Sequence, residues 1–358
     1  MNQIRVLITD ASHPVTPGAI ESLREIESEN FYFIGVDHEG NKEPVASLWV
    51  EKHYLVPSLG NAKFAREIFN ISVKEGVNIV VPWTNEDAVE ISRLQTKFSK
   101  KGIKLLCGSV ETIEKVIDKG KLFRALKDAD LPVPKFLFVN SLDDIKQAAK
   151  ELGYPRKLVV AKPRNLSGKR GFCTLDAHSD LASRRFGYHL PLESFVELIR
   201  KSREIKENNL NYILMEYLPG PDYSCDTLAY EGKPLIIIPR LRLVDKGGVS
   251  LIGETVYKNE INKLVFEVIT HFKLHLNANI QIKYSKIRGG TPYVYDVNPR
   301  ISGSISANAG AGLNLFYYGI LLALGRPIPN LSDLSYEHVK VIRRWKEEYV
   351  HYKVWYRV

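Results

Sequence analysis

The stretch Tyr293-Val294-Tyr295-Asp296-Val297-Asn298-Pro299-Arg300 reads as a β-strand running into a proline turn. Side chains alternate across a strand, so Asp296 and Asn298 project to one face. With the apolar run 278–284 as its hairpin neighbour, Gln281 lies beside both. Three oxygen donors with one formal charge suit Mg²⁺, which keeps waters and completes its shell with substrate phosphates. Arg300, just past the strand end, stands where a guanidinium can stabilise a phosphoryl group in transfer. The same residues also read as a plain strand end with a capping Asn, so the sequence around them has to decide.

Two segments upstream carry related chemistry. Ala161-Lys162-Pro163-Arg164-Asn165-Leu166-Ser167-Gly168-Lys169-Arg170-Gly171-Phe172 follows the apolar run Leu158-Val159-Val160. Glycines let backbone N–H groups approach a polyphosphate, and the cations offset its charge. No GxxxxGK[ST] loop is present, and a solvated basic turn would look similar. In Ile213-Leu214-Met215-Glu216-Tyr217-Leu218-Pro219-Gly220-Pro221-Asp222 an apolar strand ends in an acid, an aromatic and a turn. Such a strand end supplies an apolar slot and backbone edge groups for a flat heterocycle, and Asp222 is placed to accept from ribose hydroxyls.

The first third alternates strand-like and helix-like segments: runs 4–8, 31–37, 79–81 and 103–106 with helical spacing at 19–26, 62–75 and 88–98. That pattern predicts a parallel doubly wound α/β sheet, which binds ligands beyond the carboxyl ends of its strands. The turn Asp10 to Gly18 lacks GxGxxG, so a dehydrogenase-type dinucleotide site is not expected; His13 on this turn is a minor candidate. A helical stretch follows at 109–126. After Leu131-Pro132-Val133-Pro134 the pattern changes to strands in hairpin-like succession at 157–162, 172–175, 212–217, 224–230 and 235–239, then a helix at 264–272 and strands at 278–284 and 293–297. A charged helix is read at 195–206. This is an α+β region with antiparallel sheets.

Composition bounds the rest. The chain has 358 residues, 44% hydrophobic and 25% charged, enough for two or three domains on the usual scale of roughly 100–200 residues each. No apolar run reaches the roughly 20 residues that span a bilayer, and the N-terminus does not read as a signal peptide. The expectation is a cytoplasmic protein with no membrane partner. Cys107, Cys173 and Cys225 are far apart and suggest neither zinc nor disulfides. The net charge is +9. Part of it lies where Lys340, Arg343, Arg344, Lys346, Lys353 and Arg357 alternate with Trp345, Tyr349, Tyr352, Trp355 and Tyr356. Packed aromatics with solvated charges are the preferred reading there; a nucleic-acid surface is the lesser one.

In order along the chain, Asp118-Lys119-Gly120-Lys121, Pro132-Val133-Pro134, Lys162-Pro163, Met215-Glu216-Tyr217-Leu218-Pro219-Gly220, Gly247-Gly248-Val249, Gly253-Glu254-Thr255, Asn279-Ile280-Gln281 and Asp296-Val297-Asn298-Pro299-Arg300 resemble the ATP-grasp superfamily. The likeness is to single-module relatives of the carbamoyl-phosphate synthase large subunit and of the D-alanine–D-alanine and biotin carboxylase ligases. It implies a Rossmann-like N-terminal domain at 1–108, then a two-lobed ATP-grasp module. Its small lid subdomain and linker helix would cover 109–218 and its large subdomain 219–330, with a basic aromatic extension at 331–358.

The resemblance implies site roles. Lys121 and Lys162 would contact ATP phosphates, Lys162 acting in catalysis with Arg300. Ser167, Gly168 and Gly171 would belong to a glycine-rich loop above them. Glu216, Tyr217 and Leu218 would hold adenine and Asp222 ribose. Gln281, Asp296 and Asn298 would bind Mg²⁺ or Mn²⁺. Arg240, Arg242 and Arg300 would face the substrate. The implied activity is an ATP-dependent carboxylate–amine ligase of the amino-acid or peptide type, working through an acyl phosphate and releasing ADP. Its partners would be small-molecule acids and amines, with a homodimer as the family's habit. Two departures bear on this: Gln281 and Asp296 stand where many relatives carry Glu. Competing readings are an enzyme that phosphorylates bicarbonate or carbamate, and a non-catalytic ATP-binding regulator.

Overall fold

The computed structural model describes residues 3–41, 45–165, 171–179, 189–201, 210–246, 248–344 and 346–347. The chain begins with β1 (Ile4–Thr9), α1 (Thr16–Arg24), β2 (Phe31–His38), β3 (Lys52–Val56), α2 (Phe64–Lys74), β4 (Ile79–Val81), α3 (Asn85–Ser92), α4 (Gln95–Lys100) and β5 (Lys104–Leu105). The strands form one parallel sheet in the order β3-β2-β1-β4-β5. β1 and β4 are buried on both faces, which is why they read as continuous apolar runs. Gly35 is required in β2, since a Cβ there would lie 2.9 Å from Ala11 Cβ and 3.0 Å from Val50 Cγ2.

Next come α5 (Val110–Ile117) and α6 (Lys119–Asp128). The single helical stretch expected at 109–126 breaks at Asp118, whose carboxylate caps α6 by accepting from Gly120 N and Lys121 N; an Asp in that position favours a new helix start over continuation. The expected helix at 88–98 likewise divides into α3 and α4. Then follow β6 (Phe136–Val139), α7 (Leu142–Glu151), β7 (Val159–Pro163), β8 (Cys173–Leu175), β9 (His189–Leu190), α8 (Leu192–Lys201) and β10 (Tyr212–Glu216). These strands make a second sheet, β6-β10-β7-β8-β9, antiparallel except for the β8–β9 pair. α7 and α8 pack on one face of it through Ile145, Ala149, Phe195 and Ile199.

The last part holds β11 (Asp222–Tyr230), β12 (Lys233–Lys246), β13 (Val249–Thr255), α9 (Asn259–Phe272), β14 (Leu276–Tyr284), β15 (Pro292–Asn298), α10 (Ser306–Gly310), α11 (Leu315–Ala323) and β16 (Lys340–Ile342). Its strands form an antiparallel sheet in the order β15-β14-β11-β12-β13-β16. β12 runs past the end expected at Pro239, because Pro239 faces Cys225 of β11 while pairing with β13 starts at Arg240. The proline's missing N–H is therefore not needed for the β13 ladder. Residues 340–342 of the basic C-terminal stretch pair with β13; Trp345 and residues 348–358 lie outside the described residues, as does the expected helix end at 202–206.

α9 presents Ile261, Leu264, Val265, Val268, Ile269 and Phe272 as one stripe, packed with α6 on one face of the large sheet. The other face shares a core with the parallel sheet: Val6, Ile8, Leu228, Ile236, Leu276, Phe316 and Ile320 belong to one cluster. α11 fills that shared core. Among the described residues no helix is long and apolar enough to cross a membrane. The fold is thus a Rossmann-like parallel-sheet unit followed by two antiparallel-sheet lobes, as the sequence led us to expect.

Candidate functional site

A cleft opens between the second sheet and the large sheet, with a cavity volume of about 250 Å³. β10 runs out of the small sheet, and residues 217–221 cross into β11. The crossing is held by Gly220 N donating to Tyr284 O (3.0 Å) and Tyr284 N donating to Pro221 O (3.1 Å). Gly220 must be glycine, since a Cβ would sit 2.2 Å from Lys286 O. One end of the cleft is lined by Val160, Phe172, Met215, Tyr217 and Leu218, an apolar slot. Glu216 turns away: its side chain accepts from Lys135 N (2.7 Å), and it does not line the slot.

The other end is polar. Gln281 and Asp296 are register partners on β14 and β15, and Asn279 faces Asn298. Asn298 Nδ2 donates to Asp296 Oδ2 at 3.1 Å, and Asn298 Oδ1 accepts from Asn85 Nδ2 at 2.9 Å and from Arg300 at 3.4 Å. Lys119 Nζ lies 3.5 Å from Asp296 Oδ1. Lys162 Nζ lies 4.7 Å from the centre of the Tyr295 ring, a cation–π distance. Tyr295 donates its hydroxyl to Asp222 at 2.8 Å and receives Arg242 at 3.4 Å; Arg242 also pairs with Asp245.

Burial dominates the electrostatics. It pushes the Lys162 ammonium down to about 8, against the attraction of Asp296. It also pushes the Asp296 carboxyl up, but Lys119, Lys162, Asn298 and Arg300 together hold it below its ordinary value, so it stays charged. Burial lowers Arg300 as well, opposed by Asp296 and Glu86. The Arg300 Nε is buried with no hydrogen-bond partner among the described residues. An unmatched donor of that kind costs stability until an acceptor arrives.

A hard divalent cation fits this donor set. Gln281 and Asp296 offer oxygen ligands with the carboxylate kept ionised, in a cleft with room for waters and phosphate oxygens, while Asn298, whose Oδ1 is taken by Asn85 and Arg300, joins them only with its amide turned over. Among the described residues no group of three His, Cys, Asp or Glu could hold a metal, so a site here has to use amide oxygens.

Several expected residues meet in the cleft: Lys162, Tyr217, Leu218, Asp222, Arg242, Gln281, Asp296, Asn298 and Arg300 all line it. Lys121 does not. It lies on the far side of α6, and Lys119, two residues earlier, reaches the cleft instead. Helical spacing held the signal, since Lys119 shares the face of Leu122, Phe123 and Leu126, all buried. Arg240 does not line the cleft either. It is fully buried beside Asp226 (3.6 Å) and donates to Ser224 Oγ and Ser304 O, while Asp226 accepts from Asn279 and Asn308. Ser167 and Gly168 lie outside the described residues; Gly171 takes a left-handed conformation, with φ of 68°. Sequence reading also passed over Tyr295, Lys283 and Asn85. Arg343 was read only as tail charge, yet it donates to Gly303 O and Ser304 Oγ beside Arg240 and Arg300. His13 faces this arginine group, its value lowered by burial and raised by Asp10.

Comparison with known proteins bears on the fold. Residues 209–344 match the family model described as ATP-grasp in the biosynthetic pathway with Ter operon. The carbamoyl phosphate synthase large chain of Clostridium acetobutylicum is 24% identical over 282 residues, covering 75% of this chain and 24% of that one. The chain therefore spans about a quarter of the length of the curated relatives it matches. Among solved structures, the biotin carboxylase domain dimer of the Hydrogenobacter thermophilus 2-oxoglutarate carboxylase, in complex with MgADP and bicarbonate, superposes with a TM-score of 0.67 at 16% identity, over 91% of this chain and 70% of that one. The L-amino acid ligase of Bacillus licheniformis gives 0.63 at 18% identity, over 90% and 74%. These likenesses establish the fold. Residues 209–344 thus carry a match to an ATP-grasp family model, and the chain is similar to a stretch of the carbamoyl phosphate synthase large chain.

Proposed function

We propose that this chain is an ATP- and Mg²⁺-dependent ligase that joins a carboxylate to an amine through an acyl phosphate. One observation carries the reading: a single cleft has an apolar slot at one end and, at the other, two lysines and Arg300 around a partly buried, ionised carboxylate. In this reading adenine enters the slot between Val160, Met215 and Leu218, with the backbone of Glu216 to Leu218 at its edge, and ribose meets Asp222. Lys162 and Lys119 hold the phosphates, the latter in the role the resemblance assigned to Lys121. Ser167, Gly168 and Gly171 contribute to phosphate binding, the first two from outside the described residues. Gln281, Asp296 and Asn298 hold Mg²⁺ or Mn²⁺, which when bound neutralises phosphate charge.

A substrate carboxylate is already an anion and needs no general base. Its oxygen attacks the γ-phosphorus, the bond to the β-phosphate oxygen breaks, and ADP leaves. An amine nitrogen then attacks the acyl carbon, phosphate departs, and the nitrogen gives up its proton. The protein's part is position and charge: Lys119, Lys162 and Arg300 surround the moving phosphoryl group. Arg242 and Arg300, at the cleft wall, would meet an acidic substrate, whereas Arg240 is matched by Asp226.

A second reading takes bicarbonate as the carboxylate, favoured by the carbamoyl phosphate synthase relatives and the bicarbonate-bound neighbour. Measuring ADP and phosphate release from Mg-ATP against pooled amino acids, dipeptides and bicarbonate separates them, with Asp296→Ala/Asn298→Ala as the blank. ADP that needs an acid–amine pool supports the ligase; ADP with bicarbonate alone supports the second reading. AMP and pyrophosphate would sink the acyl phosphate. Tight ATP binding without turnover in any pool would favour a regulator. The proposed partners are small molecules and a second copy of the chain, as in the dimeric neighbour; sedimentation velocity checks the latter.

A further inference from the structure

A second cavity, of about 540 Å³, opens on the far side of α6 from the cleft. That size falls in the range of about 300–1,000 Å³ typical of small-molecule pockets. Lys115, Lys121, Arg124 and Arg164 line it, with Phe138 beneath and Asp128 as its one carboxylate. Lys121 and Arg124 have no carboxylate partner among the described residues.

The walls are held in place. The Phe138 ring takes the Arg124 guanidinium 4.9 Å and the Arg164 guanidinium 5.2 Å from its centre. Two planar cations on one ring are oriented before any ligand arrives, which a solvated lysine face is not. Arg164 is further fixed by donating to both oxygens of Asp118, at 3.0 and 2.8 Å. Gly120 lets α6 lie this close: a Cβ there would meet Phe138 Cε1 at 2.5 Å and Arg164 Nε at 2.6 Å. Like charges gathered in a concave, partly apolar wall focus a positive potential that an anion relieves.

We propose that this cavity is a second anion site, taking a small phosphate-bearing metabolite at a place separate from the nucleotide cleft. Helix α6 divides the two: Lys119 points to Asp296 on one side, and Lys121 lines the cavity on the other. The planar guanidiniums offer paired N–H donors, a match for phosphate oxygens.

The test is calorimetric titration of inorganic pyrophosphate into the full chain at about 0.15 M salt, where loose surface association is screened. The cleft is filled beforehand with Mg²⁺ and a non-hydrolysable ATP analogue. Lys121→Gln/Arg124→Gln is compared with the charge-matched Lys97→Gln/Lys100→Gln on α4; all four side chains are exposed, and thermal melts confirm that each variant folds. One-to-one binding is expected in the wild type and the α4 variant, weaker by about tenfold or more in the α6 variant. Absence of saturable binding in the wild type would overturn the proposal. So would equal weakening in both variants, or binding that appears only when the cleft is left open. If the cleft takes no nucleotide the proposed function fails, while the comparison of the α6 and α4 variants still reads this cavity.

Discussion

Two lysines two positions apart on one helix face opposite ways, and that decides which of them can meet a nucleotide. Lys119 lies against Asp296 and Lys121 does not. Lys119→Ala should weaken Mg-ATP binding by about 10- to 100-fold, the worth of one charge-assisted hydrogen bond; Lys121→Ala should cost less. Fluorescence titration with a nucleotide analogue reads both, and equal losses would return the phosphate role to Lys121. Asp87 makes a second residue-scale prediction. Burial pushes its carboxyl up to about 6 from 3.8, partly offset by the Thr9 hydroxyl and His38. A carboxyl whose folded value is raised adds stability below its unfolded value and loses it as pH rises through the folded one. The wild type should therefore lose up to about 3 kcal/mol between about pH 4 and 6, and Asp87→Asn should lack that component in urea unfolding at matched pH. Parallel pH profiles for the two proteins would show that Asp87 titrates normally. The residues of the DxNPR stretch were legible because strand alternation alone puts Asp296 and Asn298 on one face. Arg240 was not: only the fold reveals that its neighbours are Asp226 and Ser224 rather than the cleft.

At the scale of elements, strong patterns were readable and shielded or edge ones were not. β1, β2, β4 and the α9 stripe follow from apolar runs and helical spacing. β3, Lys52–Val56, escaped because this edge strand is mostly exposed or half-buried and shows neither an apolar run nor a clean alternation. α11, Leu315–Ala323, escaped because it is apolar on nearly every side and shows no period; it is buried between two sheets, so it needs no polar face. That helix yields a prediction. A Cβ on Gly319 would lie 1.8 Å from Asn277 Oδ1, and Asn277 holds the Leu315 carbonyl at 2.9 Å. Gly319→Ala should destabilise the chain by about 2–3 kcal/mol through overpacking and lower its melting temperature by several degrees. An unchanged melt would mean that β14 and α11 can move apart freely.

Across the whole molecule, the cleft depends on all three sheets. The small sheet brings Lys162 and Met215, the large sheet brings Gln281 and Asp296, and α3, which follows β4 of the parallel sheet, brings Asn85 to Asn298. The core shared between the parallel and large sheets fixes that last contact. Mg-ATP should therefore stabilise the molecule as a unit, by about 2.7 kcal/mol at a hundredfold excess over its dissociation constant. Differential scanning fluorimetry should show that upward shift, smaller when EDTA replaces Mg²⁺ and absent in Asp296→Ala/Asn298→Ala. A full shift in that variant would place nucleotide binding elsewhere. Asn85→Ala should lower kcat by about tenfold with little change in nucleotide affinity, because it loosens Asn298 without removing a phosphate contact. Steady-state kinetics would separate the two parameters.

The sequence by itself determined the order of units, the strands with strong periodicity and the resemblance to ATP-grasp enzymes. Those features are local: alternation, helical spacing and short motifs act over a few residues and survive without knowledge of the partner. Only the tertiary structure decided which cations face the cleft, that Arg240 is committed to a buried carboxylate, and that Asn85, more than two hundred positions away, orients Asn298. Such relations depend on which faces of which elements are pressed together, and burial then sets which charges are matched and which await a ligand.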